Sequence, residues 1–135
     1  MKKLGIYVMV SIFFLGKATA QENEKIQVVS KKTPQVLYGT ASFYANKFEG
    51  RETANGEIFS QKKLTAACNV LPLGTWIKVT NLHNKRSVIV KVNDRLHYRM
   101  KRVVDLSKAA AKQLNYSSGL IHVKVEVLGK KKPTS

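Results

Sequence analysis

Residues 86–95 read Arg86-Ser87-Val88-Ile89-Val90-Lys91-Val92-Asn93-Asp94-Arg95, and this stretch decides the fold. Side chains alternate across an extended chain, so Val88, Val90 and Val92 fall on one face. β-Branched residues also suit a pleated surface. The strand is expected over Arg86–Val92, and it opens into a carboxylate and a guanidinium. Just upstream, Leu82-His83-Asn84-Lys85 is short and polar, as a hairpin link requires. The other arm is Trp76 to Thr80, entered through the turn Pro72-Leu73-Gly74.

The same reading extends outward in both directions. In Leu120–Leu128, the residues Ile121, Val123, Val125 and Val127 alternate with His122, Lys124 and Glu126. Val36–Tyr44, Leu64–Cys68 and Arg102–Leu106 supply three further strand signals. One helix is expected over Lys108–Leu114, built from good helix formers. Ser107 can cap it by accepting from first-turn N–H groups, and Asn115 and Gly119 mark its exit. About six strands and one short helix in so short a chain point to a mainly β protein. Closure into a small barrel removes exposed edges.

The chain has 135 residues, which allows one domain. An apolar fraction of 44% with three prolines describes a folded protein. A two-domain dinucleotide enzyme and a polytopic membrane protein do not fit. A single cysteine, Cys68, excludes a disulfide scaffold and a CxxC zinc site. His83, His97 and His122 lack ligand-like spacing, so neither a metal nor a cofactor is expected. There is no P-loop pattern and no nucleophile elbow.

The first twenty residues have the layout of a secretory signal peptide. Lys2 and Lys3 precede an apolar run from Leu4 to Gly16, and Ala18-Thr19-Ala20 supplies small residues at a cleavage point. The run is shorter than the ~20 residues a membrane helix needs. Cleavage after Ala20 would place the protein in the periplasm or outside the cell. The only cysteine lies far downstream, so no lipid anchor is expected, and the mature form should not span a membrane. Residues 21–35 read as a flexible leader, 36–129 as the barrel domain and 130–135 as a basic tail.

Lys+Arg 24 against Asp+Glu 8 gives a net charge of +16. Loss of residues 1–20 takes away Lys2, Lys3 and Lys17 and no acid, leaving +13. Outside the inner membrane the abundant anionic polymers are cell-wall glycans and lipid head groups, and long-range attraction to one is the simplest use of such charge. No basic run is interleaved with aromatics as a single-strand nucleic-acid groove requires, so nucleic acid is not an expected partner.

Two acids stand out by context. Asp94 ends a buried strand, where a carboxylate can face a cleft or pair as a turn residue with Arg95. Arg95 is a candidate for holding an anionic substrate. Glu57 lies in Gly50-Arg51-Glu52-Thr53-Ala54-Asn55-Gly56-Glu57, a loop that needs positive φ somewhere. Taken alone, it reads first as a surface turn residue. Asp105 precedes Ser107 and suits a helix N-terminus. Cys68, in an apolar strand-like segment, reads as packed and inert.

Taken in order, several motifs resemble the RlpA (rare lipoprotein A) family. They are Gly39-Thr40-Ala41-Ser42-Phe43-Tyr44, Gly50 to Glu57, Leu64-Thr65-Ala66-Ala67, Leu71-Pro72-Leu73-Gly74-Thr75, Val79-Thr80-Asn81, Val92-Asn93-Asp94-Arg95 and Val104-Asp105-Leu106-Ser107. The resemblance spans nearly all of residues 38–128. It implies a six-stranded double-psi β-barrel with one short helix. It also implies a lytic transglycosylase acting on peptidoglycan glycan strands stripped of stem peptides. The chain itself is expected to act as a monomer.

By position, the family's essential aspartate falls on Asp94 and its active-site glutamate on Glu57. Arg95, Asn93, Tyr44, Asn55 and Cys68 stand as candidate substrate-binding residues. Cys68 occupies the place where the family usually carries a histidine, and Asp94-Arg95-Leu96-His97 replaces the usual Asp-Arg-Gly-Pro.

The implied reaction suits one main carboxyl group. Hydrolytic glycosidases generally need two acids, whereas a lytic transglycosylase uses no water. Protonated Asp94 would deliver its proton to the glycosidic oxygen between N-acetylmuramic acid and N-acetylglucosamine. The carboxylate would then take the proton of the muramoyl C6 hydroxyl as that oxygen closes on C1, giving a 1,6-anhydro ring. Burial or the negative charge of Glu57 would favour the acid form needed at the start. The competing expectation is a non-catalytic, expansin-like module that binds or loosens wall glycan, and the loss of the histidine at position 68 favours it.

Overall fold

The computed structural model of the chain describes residues 35–134. The expected signal peptide, all but the last residue of the leader, and Ser135 lie outside the described residues. The strands are β1 (Val36–Phe43), β2 (Thr65–Ala67), β3 (Trp76–Asn81), β4 (Ser87–Asp94), β5 (Val104–Leu106) and β6 (Ile121–Gly129). The helix α1 spans Lys108–Gln113, and a 3-10 turn at Asn46–Phe48 had no sequence signal. Each expected strand is present, with ends shifted by one or two residues.

The strands close in the order β1-β5-β2-β4-β3-β6. The β1–β5 and β2–β4 pairs are parallel and the other four pairings are antiparallel. This is the six-stranded double-psi β-barrel, mainly β with one short helix. The alternation read in the sequence fills its interior: Ile77, Val79, Val90, Val92, Val123 and Val125 are fully buried. Closure gives each described strand a neighbour on both sides, although the three-residue β2 and β5 cover only part of β4 and β1.

The helix is short and is held at both ends by other elements. Ser107 Oγ accepts from Ala110 N at 3.3 Å, as expected for the cap. Gln61 Oε1 accepts from Lys108 N at 2.9 Å, and Gln61 O accepts from Ala109 N at 2.9 Å. At the other end, Leu114 O accepts from the side-chain amides of Asn81 and Asn84, and Gln113 O accepts from Arg86 Nε. All three donors come from the β3–β4 hairpin or its flanks, so the orphan carbonyls of the last turn are met by the barrel. Lys85 in that hairpin and Asn115 after the helix both take positive φ. Among the described residues, no helix is long and apolar enough to cross a membrane.

Barrel stability should follow the inward row. Ile77→Ala, at a site with 0% exposure, is expected to lower unfolding free energy by about 2–5 kcal/mol. Leu128→Ala, 41% exposed at the end of β6, should stay within about 0.5 kcal/mol. Urea unfolding with an unchanged slope checks both, and equal effects at the two sites would contradict the burial pattern.

Candidate active site

The inward row of β4 is interrupted before its last residue. Simple alternation would put Asp94 on the same buried face as Val88, Val90 and Val92. The β2–β4 pairing instead slips between Ala66 and Ala67: Ala66 sits opposite Val92, but Ala67 sits opposite Asp94. Asn93 is the extra residue of this bulge and is 3% exposed. The slip turns Asp94 out of the barrel interior, as a one-residue insertion must.

The turned carboxylate meets three donors. Asp94 Oδ1 accepts from Ala54 N at 3.0 Å and from Arg95 N at 2.8 Å. Asp94 Oδ2 accepts from Tyr44 Oη at 2.6 Å. The two oxygens are not equivalent chemically. Backbone N–H groups can only donate, whereas a phenol can rotate from donor to acceptor. Oδ2 is therefore the oxygen that can carry a proton and release it without breaking the frame around Oδ1.

Tyr44 is itself fixed by packing. Its ring lies 4.1 Å from that of Phe59 and 5.8 Å, edge-on, from that of Phe48. Tyr44, Phe59, Ala67 and Leu96 form a second small core beneath Asp94, separate from the barrel interior. Burial, with Asp94 alongside, pushes the Tyr44 hydroxyl far above the usual phenol range, so it stays protonated. Tyr44, expected as a substrate-binding residue, is thus mainly the partner of Asp94.

The glycine-bearing loop is a compact turn tied to β4. Gly50 and Gly56 take the positive φ that the sequence demanded. Thr53 N donates to Glu57 O at 2.7 Å and Phe59 N to Arg51 O at 2.7 Å, closing the loop on itself. Asn55 N donates to Asn93 O at 3.1 Å, which anchors the loop to the bulge. The Asn55 side chain works inside the loop: its Oδ1 accepts from Thr53 Oγ1 and Glu57 N, and its Nδ2 donates to Glu57 Oε1.

Glu57 is engaged within its own loop and by Lys91. Its carboxylate is held by Asn55 and lies 3.4 Å from Lys91 Nζ. The hydrogen bond from Asn55, assisted by Lys91 and Lys63, keeps this carboxyl below the usual glutamate range, although burial acts the other way. Among the described residues no hydrogen bond or ion pair joins Glu57 to Asp94. Glu57 instead lines a neighbouring groove. The expectation that its charge favours the acid form of Asp94 has no contact to act through. The two are linked through the loop backbone.

Three other sequence expectations change. Arg95 Nη1 donates to the carbonyls of Cys68 and Leu71, so part of the guanidinium fastens the 68–71 segment rather than standing ready for an anion. Cys68 is fully buried in the main core. Its thiol cannot line a cleft, because the side chain after Ala67 points into the barrel. Asp105 does not serve the helix: Arg102 grips it in a bidentate pair at 2.7 and 3.0 Å. The i,i+3 spacing of Arg102 and Asp105 is the local sequence signal of this pair.

Asp94, Tyr44, Arg95, Met100, Arg102 and Asp105 border one hollow of about 430 Å³. Of its two carboxylates, Asp94 is braced by three donors and Asp105 is neutralised by its bidentate pair with Arg102. That set suits proton transfer to and from a neutral polar substrate.

Residues 37–125 match the family described as lytic transglycolase. The endolytic peptidoglycan transglycosylase RlpA of Haemophilus influenzae is 48% identical over 91 residues, covering 67% of this chain and 32% of that protein. RlpA of Pseudomonas aeruginosa is 53% identical over 91 residues, covering 67% and 27% respectively. RlpA of Neisseria meningitidis serogroup A is 40% identical over 118 residues, covering 82% and 49%. The chain thus spans about a third of the length of the first of these relatives. Among solved structures, an expansin of Clavibacter michiganensis aligns with a TM-score of 0.57 at 21% identity, covering 75% of this chain and 53% of that one. A Streptomyces papain inhibitor aligns with a TM-score of 0.53 at 22% identity, covering 69% and 94%. At such identities these two share the fold alone.

The buried thiol gives a direct check. A thiol-alkylating reagent should label Cys68 only as fast as the protein unfolds. Cys68→Ser puts a hydroxyl in an apolar site and should cost about 1–3 kcal/mol. Rapid labelling of the folded protein would place Cys68 at a surface after all.

Proposed function

The chain belongs to the lytic transglycolase family of RlpA-type proteins, and on that premise we propose that it is an exported lytic transglycosylase of peptidoglycan. Its target is the β-1,4 bond between N-acetylmuramic acid and N-acetylglucosamine, in strands lacking stem peptides. Its products carry 1,6-anhydromuramoyl ends. It works in the periplasm or outside the cell, after cleavage of residues 1–20, as a monomer and without a cofactor.

One observation supports this reading: of the two carboxylates bordering the hollow, Asp105 is tied up by Arg102, and Asp94 alone has one oxygen on donor-only amides and the other on a reversible hydroxyl. In the first half of the reaction, Asp94 Oδ2 gives its proton to the glycosidic oxygen, and the C1–O bond to the leaving sugar breaks. In the second half, the C6 hydroxyl oxygen bonds to C1 and its proton returns to Oδ2. Protons balance within one carboxyl group and no water is consumed. The Tyr44 hydroxyl accepts from the acid form and donates to the carboxylate, so it follows both halves without moving its ring.

Glu57 has a different part. It stays ionised and bound to Asn55 and Lys91, so it braces the loop whose Ala54 N–H holds Asp94 Oδ1. It is a positioning residue rather than a second proton carrier.

The deciding experiment incubates the purified protein with peptidoglycan stripped of stem peptides and seeks 1,6-anhydro products by mass spectrometry. Their absence, with glycan still bound, would replace the enzyme by the expansin-like binding module. Asp94→Asn should lower turnover by ~10²-fold or more with folding retained. Tyr44→Phe keeps the ring and removes the hydroxyl; it should cost about tenfold in turnover, the scale of one lost hydrogen bond to a charged group. Glu57→Gln should cost less than Asp94→Asn. Glycan binding should weaken as salt rises, since exposed charges are screened over ~10 Å at 0.1 M.

A further inference from the structure

A second concavity lies on the outer face of the barrel, beyond Glu57. Its floor is set by strand register. Thr65 on β2 pairs with Lys91 on β4, and Lys91 pairs with Trp76 on β3, so the three form one row across three strands. Ile89 lies two residues from Lys91 on the same face of β4 and is exposed. The groove has a volume of about 680 Å³, larger than the hollow at Asp94.

Its far wall comes from the segment that follows β6. Gly129 takes a φ of 109° and turns the chain. Lys130 Nζ then donates to Leu73 O at 2.6 Å, which ties the segment to the turn before β3. Lys132 Nζ stands 5.9 Å from the centre of the Trp76 ring, and Pro133 and Thr134 complete the wall. The family match ends at residue 125, so this wall is a feature of the chain outside the matched region.

The charge of the groove is one-sided. Lys63, Lys91 and Lys132 line it against a single carboxylate, Glu57. Glu57 is already engaged by Asn55 and Lys91. Among the described residues, neither Lys63 nor Lys132 forms an ion pair. An indole between ammonium groups offers an apolar face for a ring and positive charge for what the ring carries.

We propose that this groove is a binding subsite for a carboxylate-bearing pyranose of a glycan strand, with Trp76 as its stacking floor and Lys132 and Lys63 as its carboxylate clamp. The inference rests on the proposed substrate class, since lactyl carboxylates are free on glycan stripped of stem peptides. Glu57, which lines the groove, belongs to the same loop as Ala54, whose N–H holds Asp94, so the groove and Asp94 flank one short loop. The Lys130–Thr134 segment thereby contributes to the substrate rather than to the barrel.

The test measures binding on the Asp94→Asn protein, so that nothing is turned over. The probes are a stripped N-acetylglucosamine–N-acetylmuramic acid oligosaccharide and a neutral chitin oligosaccharide of equal length. The parent should bind the anionic probe at least about tenfold more tightly, a difference of one tenfold step in Kd. Lys132→Glu should bring the two probes within about twofold, leaving the neutral one unaffected. Trp76→Ala should weaken both. Lys132 is exposed, so its substitution decides the matter even if Trp76→Ala fails to fold.

Equal binding of both probes by the parent, or parental binding by Lys132→Glu, would overturn the subsite. The two readings fail separately. Absence of 1,6-anhydro products from the unaltered chain with Lys132-dependent binding intact removes the reaction and keeps the subsite. Products together with parental binding by Lys132→Glu do the reverse.

Discussion

The single extra residue in β4 is the constraint on which the candidate active site depends. Without the slip at Asn93, period-two alternation would aim Asp94 into a core of valines, where an unpaired carboxylate is intolerable. The slip does three things at once. It swings Asp94 outward, it buries Asn93, and it frees the Asn93 carbonyl to accept from Asn55 N. The loop anchored there then supplies Ala54 N–H to Asp94. A β-bulge thus builds both the carboxylate's direction and part of its hydrogen-bond frame.

Most of the barrel was legible because its signals are local. The alternation in β3, β4 and β6 names the inward residues directly, and Ser107 names the start of α1. The polar link Leu82–Lys85 names the hairpin. What was hidden rests on contacts between distant segments. The small core of Tyr44, Phe59, Ala67 and Leu96 comes from loops and strand ends with no shared period. The bulge leaves no compositional mark in Val92-Asn93-Asp94. Cys68 read as a cleft residue through resemblance, yet its place after two buried alanines on β2 sends it inward. The plainer expectation of a packed thiol agrees with its burial.

Two concavities flank one loop. The hollow at Asp94 holds a carboxylate hydrogen-bonded to Tyr44, and the groove at Trp76 presents charge and flat apolar surface. The 50–59 loop touches both, through Ala54 on one side and Glu57 on the other. Its glycines matter at Gly50 and Gly56, where positive φ lets so short a turn serve two sites. A change in that loop would be felt in both places, while changes at Arg102 or Lys132 stay on their own side.

The order of closure carries a consequence for how the molecule comes into being. β6 pairs with both β1 and β3, and its register sets Val36 against Glu126. The first and last strands are thus mutual neighbours, and most of the chain lies between them. Contacts of such long sequence separation are slow to form, because loop closure is paid before any pairing rewards it. Without Ile121–Gly129, β1 keeps only β5 and β3 keeps only β4 as neighbours, and the barrel is not closed. Closure of this barrel therefore requires its final strand: the pairings that join its two ends come from residues nearly the whole domain apart in sequence.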